Sequence, residues 1–129
     1  MNVVDSSGWI EYFVGGPNSP FFEGPLQDVA SLLVPSISIL EVYRYILRER
    51  GRQEALAAAA SMRQGRVLDL DEGLAIEAAE IGTSHGLPLA DCIIYAAAQG
   101  HDATLWTQDA DFEGLAGVEY QPKRLSTQE

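Results

Sequence analysis

The chain opens on a short apolar run, residues 1–4, that stops at Asp5. Runs of the same kind recur at Leu32–Pro35, 66–70, 103–106 and Val118–Tyr120, each long enough for a strand and too short for a helix. Between them the apolar residues take helical spacing. The clearest case is Ser36–Arg50, where Ile39, Val42, Tyr43, Ile46 and Leu47 fall at i, i+3, i+4, i+7 and i+8 of one stripe. Gly51 breaks that helix, and the alanine-rich stretch 53–62 predicts a second one folded back on it. Further helices are predicted from Ser6 or Ser7 to Phe13, over 21–31, and from Asp71 as N-cap to His85. A last one enters at Asp91 and carries the stripe Ile93, Ile94, Ala97 and Ala98. Either serine is expected to cap the first helix, because a serine oxygen accepts from the free N–H groups of the first turn. Gly24-Pro25 is expected to disturb the start of the second, and Gly100 to end the last by leaving it through positive φ. Residues 15–20 (GGPNSP) read as loop, and 121–129 as a polar tail expected to fray.

Short strands alternating with helices argue for an α/β fold on a central, mainly parallel sheet of four or five strands. No repeat, low-complexity tract or linker divides the 129 residues. One domain over residues 1–122, followed by the tail 123–129, is therefore expected. A hydrophobic content of 47% is ample for a core without disulfide or metal staples. The single cysteine, Cys92, lies inside an apolar helical run and reads as a small core residue. One unpaired cysteine also suits a reducing compartment. The amino terminus lacks a basic region followed by a long apolar core, so no signal peptide is expected. No apolar run approaches the roughly 20 residues that span a bilayer. A cytoplasmic protein with no membrane association is the expectation.

Net charge changes the picture. At −11 with a pI near 4.4, the chain as a whole repels phosphates rather than attracting them. The cations are unevenly placed, however: Arg44, Arg48, Arg50, Arg52, Arg63 and Arg66 stand close together, and only Lys123 and Arg124 lie elsewhere. The protein is acidic with one basic region.

Several carboxylates stand where strands end. Asp5 follows the first strand, Glu41 lies one turn past the second, and Asp109 lies just beyond the strand at 103–106. Asp91 opens a helix pointing the same way. Right-handed crossovers make such strands parallel and bring their carboxyl ends to one edge, where open α/β sheets bind ligands. Four clustered like charges are costly unless protons or cations neutralise them. Hard oxygen ligands of this sort suit Mg²⁺ or Mn²⁺, and the natural chemistry is metal-assisted attack of water on a phosphodiester. Each acid also has a plain structural role open to it. Asp5 could cap the first helix, and Glu41 stands at capping-box distance from Ser38. Asp91 could complement a helix dipole. Asp109 and Asp111 could cap a short terminal helix.

The segments VVDSS, SISILEVYR, LPLADCIIYAAA and LWTQDADF, in this order and at these separations, resemble the PIN-domain ribonucleases. The likeness is greatest to the small toxins of VapBC-type toxin–antitoxin pairs, and it extends from Val3 to about Tyr120. It implies a PIN-like three-layer α/β/α fold and a four-acid catalytic and metal-binding site on Asp5, Glu41, Asp91 and Asp109. It also implies supporting roles for Ser7 and Thr107, and for Asp111 as a further acid that serves a second metal or braces the turn. The activity implied is Mg²⁺- or Mn²⁺-dependent endonucleolytic cleavage of RNA, with tRNA or another structured RNA as substrate. The implied partners are a cognate antitoxin protein and a second copy of the chain in a homodimer.

On a helix advancing about 100° per residue, Arg44 and Arg48 share the face of Glu41, away from the apolar stripe. They are candidates for holding RNA phosphates beside the metal; alternatively, Glu41 and Arg44 form an exposed ion pair. Trp9 and Trp106 read as core or dimer-interface residues, and His85 and His101 as helix-end residues. A catalytically silent binding module of the same fold is one rival reading, which the presence of all four acids opposes. A phosphoacceptor signalling domain is another. It needs paired acids at the first strand and a late lysine, whereas the first strand supplies only Asp5 and no lysine precedes Lys123. Asp69 and Asp71 would be its acceptors. An aspartate-nucleophile phosphatase would need an acid two residues after Asp5, where Ser7 stands.

Overall fold

In the computed structural model, which describes residues 1–125, five strands form one parallel sheet in the order β3-β2-β1-β4-β5. The strands are β1 (Asn2–Val4), β2 (Leu32–Pro35), β3 (Arg66–Leu68), β4 (Thr104–Thr107) and β5 (Val118–Tyr120). Six helices flank them: α1 (Ser6–Val14), α2 (Ser19–Gln27), α3 (Ser36–Arg50), α4 (Arg52–Met62), α5 (Glu72–His85) and α6 (Leu89–Gly100). The fold is thus the three-layer α/β/α arrangement expected.

The two faces of the sheet are read off alternate residues of its central strands. Val4, Leu32 and Val34 pack under α1 to α4 with Trp9, Phe22, Leu26, Val42, Ile46 and Met62. Val3, Leu33 and Leu105 point the other way, onto Ile94, Tyr95 and Ala98 of α6 and onto Phe112. Both faces of β2, and of β1 at Val3 and Val4, are covered by helices, so these residues are apolar in succession rather than alternating. Each fully buried side chain, such as Phe22 or Leu33, stabilises the fold by about 1.5–3 kcal/mol. Gly8 lets α1 cross the sheet closely; a Cβ there would lie 2.6 Å from both Val4 and Phe22. Gly82 does the same between α5 and α6, where it faces Cys92. The Cys92 thiol donates to the Leu87 carbonyl (3.3 Å), a small core residue as expected.

Several boundaries differ from the sequence reading. Helix α2 starts at Ser19 with a proline in its first turn, and keeps Pro25 inside; residues Val29–Ser31 form a separate 3₁₀ turn. Strand β3 stops at Leu68, and α6 begins at Leu89, placing Asp91 inside its first turn. Gly100 is the last residue of α6 and has no positive φ; Asp102, at φ 51°, makes the left-handed turn instead. Aspartate tolerates that region better than most residues because its short side chain bonds locally. The start of the tail is not frayed. Gln121, Pro122 and Arg124 are all hydrogen-bonded to Asn18. The end of the expected tail, residues 126–129, lies outside the described residues. Among the described residues no helix is long and apolar enough to cross a membrane.

Candidate active site

The strand order creates a crevice. The chain runs outward from β1 to β2 and β3, then returns to lay β4 on the other side of β1. The carboxyl ends of β1 and β4 therefore sit where the order reverses, the usual ligand position in open α/β sheets. Asp5 directly follows β1, and its backbone N–H still donates to the Trp106 carbonyl of β4 (3.2 Å).

Asp5 is 2% exposed, and its carboxylate is held by three donors. It accepts from the Ser7 hydroxyl (2.9 Å to each oxygen), the Gly8 N–H (3.0 Å) and the Thr107 hydroxyl (2.9 Å). Asp5, rather than Ser6 or Ser7, is the N-cap of α1. The structural role and the site position coincide in one residue. Burial pushes its carboxyl up to about 7 against the downward pull of those hydrogen bonds.

Thr107 joins the two halves of the site. Its hydroxyl donates to Asp5 and accepts from the Asp109 N–H (2.9 Å). Asp109 then caps a 3₁₀ turn (Ala110–Phe112) by accepting from the Asp111 N–H (2.9 Å). Asp91, half-buried in the first turn of α6, completes the group. One carboxylate oxygen from each of Asp91, Asp109 and Asp111 lies within 4.8 Å of the others. Burial, followed by the charges of Asp109, Asp5, Asp111 and Glu41, raises the Asp91 carboxyl to about 8. Five acids therefore share one electrostatic neighbourhood. Asp111, ranked by sequence below the four, sits inside the tightest trio.

Glu41 approaches from α3, but not through a capping box. Helix α3 has no side-chain cap, and the Ser38 hydroxyl is buried without a partner. Instead, Ser6 donates to Glu41 (2.6 Å), pulling it toward the end of β1. No ion pair joins Glu41 to Arg44 among the described residues. Both Arg44 and Arg48 are exposed and line an open cleft of ≈ 330 Å³ with Asp5, Glu41, Asp91 and Asp109. Arg48 stacks over the Tyr45 ring (5.5 Å) beside the same cleft.

Other candidates fall elsewhere. Asp71 caps α5 through the Leu74 N–H (2.9 Å) and lines, with Asp69, a hollow apart from Asp5. A phosphoacceptor site on either is therefore unsupported by geometry. His101 Nδ1 lies 3.0 Å from the Ala97 carbonyl at the far end of α6, and His85 packs edge-on to Tyr95. Trp9 is core; Trp106 is half-buried and donates to Asn2 (2.9 Å).

Sequence reasoning missed a buried amide network beside the site. Gln108, between Thr107 and Asp109, is 4% exposed and accepts from the fully buried Asn18 (2.9 Å). Glu11 accepts from the Asn18 N–H (2.7 Å). The one available signal was an acid, Glu11, inside an otherwise apolar helix.

A parallel-sheet α/β/α domain with an acidic crevice at its switch point defines a class. The profile of the PIN-domain family matches residues 3–118, and the chain belongs to that family. Solved structures share the fold. A toxin–antitoxin complex from Klebsiella pneumoniae superposes with a TM-score of 0.78 at 21% identity, over 97% of this chain and 100% of that one. VapC20 of Mycobacterium tuberculosis, a sarcin–ricin-loop-cleaving toxin, gives 0.77 at 21% identity, over 95% and 100%. DNA-bound VapBC from Salmonella typhimurium gives 0.75 at 18% identity, over 95% and 97%. No curated protein matches the chain in sequence.

Proposed function

We propose that the chain is a divalent-metal-dependent endoribonuclease of the VapC type, acting as the toxin of a toxin–antitoxin pair. The observation that carries this reading is the gathering of the Asp91, Asp109 and Asp111 oxygens within 4.8 Å, with Asp5 and Glu41 near enough to raise Asp91 further. The donor set fits Mg²⁺ or Mn²⁺: all carboxylate, open to water, and relieved of mutual repulsion only by protons or a cation. Asp91, Asp109 and Asp111 would hold the ion directly, with Asp5 and Glu41 contributing charge. The ion would neutralise phosphate charge and acidify a water for attack on phosphorus.

The protein's own groups have separate tasks. The donors on Asp5 hold its carboxylate at one orientation on the cleft floor. Thr107 ties that orientation to the position of Asp109. Ser6 aims Glu41 inward. Arg44 and Arg48, along the cleft rim, hold phosphate oxygens of the substrate, and the stacked Tyr45 limits the rotamers of Arg48. The small basic rim, rather than overall charge, carries RNA binding in a chain of net charge −11. The fold shared with a toxin that cleaves the sarcin–ricin loop supports a structured RNA substrate. The shared fold with toxin–antitoxin complexes supports an antitoxin partner. A homodimer and a cytoplasmic site of action complete the reading.

The test is expression of wild type and Asp91→Asn in a bacterial host, with RNA 5′ ends mapped across the transcriptome. New ends at a defined site, with wild type alone, are expected. Identical end profiles for the two proteins, repeated on RNA of the source organism in vitro with Mn²⁺, would sink the proposal.

A further inference from the structure

The acid cleft does not stop at Asp109. Ser7 and Asp109 also line a second hollow of ≈ 520 Å³, whose other lining residues include Gln108, Tyr120, Pro122 and Lys123. The two hollows thus meet at Ser7 and Asp109, one bearing Arg44 and Arg48, the other Tyr120 and Lys123.

The second hollow is held in shape by a buried clamp. After β5, the Gln121 N–H donates to the Thr107 carbonyl (3.0 Å), extending the sheet pairing beside the site. Asn18, fully buried, then ties down the segment from Gln121 to Arg124. Its Oδ1 accepts from Gln121 Nε2 (2.7 Å) and Arg124 Nε (2.8 Å), while its Nδ2 donates to Pro122 O (2.9 Å) and Gln108 Oε1 (2.9 Å). Arg124 Nη2 adds a bond to the Pro17 carbonyl (2.7 Å). Lys123 lies between two anchored residues, and its backbone is therefore fixed beside Asp109. Arg124 spends its guanidinium on the clamp; Lys123 is exposed.

We propose that this second hollow binds a single-stranded segment of the RNA on one side of the scissile phosphate. Tyr120 stacks a base and Lys123 meets a backbone phosphate, while Arg44 and Arg48 hold the strand on the other side of the acids. Single strands are held by this pairing of an aromatic face with a cation along the backbone. Flanking the acids with cations on both sides also solves an electrostatic problem: a strand approaching five carboxylates needs attraction at each end of its path. The proposal rests on the nuclease reading above and adds the position and chemistry of one substrate arm.

The experiment uses a fluorescein-labelled oligouridylate and the full chain carrying Asp91→Asn, so that the strand is not cut. Binding is followed by anisotropy across a salt series. Adding Lys123→Ala is expected to weaken binding and to shallow the log–log salt slope by about 0.7, the value for one lost phosphate contact on a single strand. Adding Tyr120→Ala is expected to weaken binding about fivefold or more with the slope unchanged, and Tyr120→Phe to restore it. Asn18→Ala, which frees the clamp, should reproduce the Lys123→Ala loss; should that variant fail to fold, the exposed Lys123 carries the test alone. Binding unchanged in both the Lys123 and Tyr120 variants, with loss in Arg44→Ala, would overturn the second arm and leave the nuclease reading standing; the hollow would then suit a protein partner. Absence of RNA binding in every variant, together with absence of RNA cleavage by wild type, would overturn both.

Discussion

The two halves of the acid site are built on opposite plans. On the β1 side, Asp5 is buried and its carboxylate is held by three protein donors, Ser7, Gly8 and Thr107. On the α6 and β4 side, Asp91 is half-exposed, and burial and four neighbouring acids all push its carboxyl up. One carboxylate is finished by the protein itself; the other is left for something outside to complete. The difference teaches that position in a cluster is not role. A carboxylate held from several sides by the protein serves best as an oriented group on the cleft floor and a helix cap. An acid crowded by others and short of donors is where a cation or a proton must go.

Substitution should separate the two plans. Asp91→Asn is expected to lower RNA cleavage by at least about 10²-fold, the scale of losing one preorganised electrostatic group. It should also raise the melting temperature of the metal-free protein, since one repelling charge is gone. Asp5→Asn should abolish cleavage as well but without that stabilisation, because its amide would turn a donor toward the Ser7 or Thr107 hydroxyl. Equal gains in melting temperature for both would erase the distinction.

A second effect concerns metal. If the acids bind Mn²⁺ as proposed, the ion at about a hundred times its dissociation constant is expected to stabilise the folded state by about 2.7 kcal/mol. Because Asp111 belongs to the close trio and Glu41 does not, Asp111→Asn should remove more of this stabilisation than Glu41→Gln. Calorimetric melting with and without Mn²⁺ would decide, and the reverse order would move the ion toward Asp5 and Glu41.

Thr107→Val breaks the bond between the halves. It removes one donor from buried Asp5 and the acceptor of the Asp109 N–H, at a cost of about 1–3 kcal/mol. Urea unfolding measures the loss, and a value near zero would show that Asp5 and Asp109 are placed independently.

A further effect is with pH, where the contribution of the half-buried Asp91 is reduced by solvent screening. Asp5 and Asp91 titrate in the folded protein near about 7 and about 8, above the ordinary carboxylate value of 3.8. Between these limits the folded state holds more protons than the unfolded chain. Stability from these groups is therefore full at the acid end and is lost as pH rises through about 7 and 8. The melting temperature of the metal-free protein should fall over that range, and Asp91→Asn should flatten the fall. A flat wild-type profile would mean that the acids do not repel one another as the geometry requires.

Much of the fold was legible along the chain because it is local. The apolar stripe of α3 marked its helix, Gly51 its end, and Asp71 the cap of α5. The ends of β1 and β2 were visible too, and with them the positions of Asp5 and Glu41. Where local signals competed, reading the chain alone chose wrongly. Ser6 and Ser7 looked like caps, but Asp5 took that role, and Ser6 turned to Glu41. Gly100 does end α6, but the left-handed turn expected of it is made by Asp102.

What this sequence determined by itself was the order of strands and helices and the delivery of acids to one sheet edge, because period, caps and chirality act within a few residues or apply to every parallel crossover. Only the tertiary structure decided which carboxylate is sealed and which is open, that Asp111 joins the trio, and that Asn18 gathers Gln108, Pro122 and Arg124 into one clamp. Those outcomes depend on donors and acceptors that lie far apart in the chain. Their partners are fixed only when the packed layers bring them within hydrogen-bonding distance and exclude the water that would otherwise satisfy them.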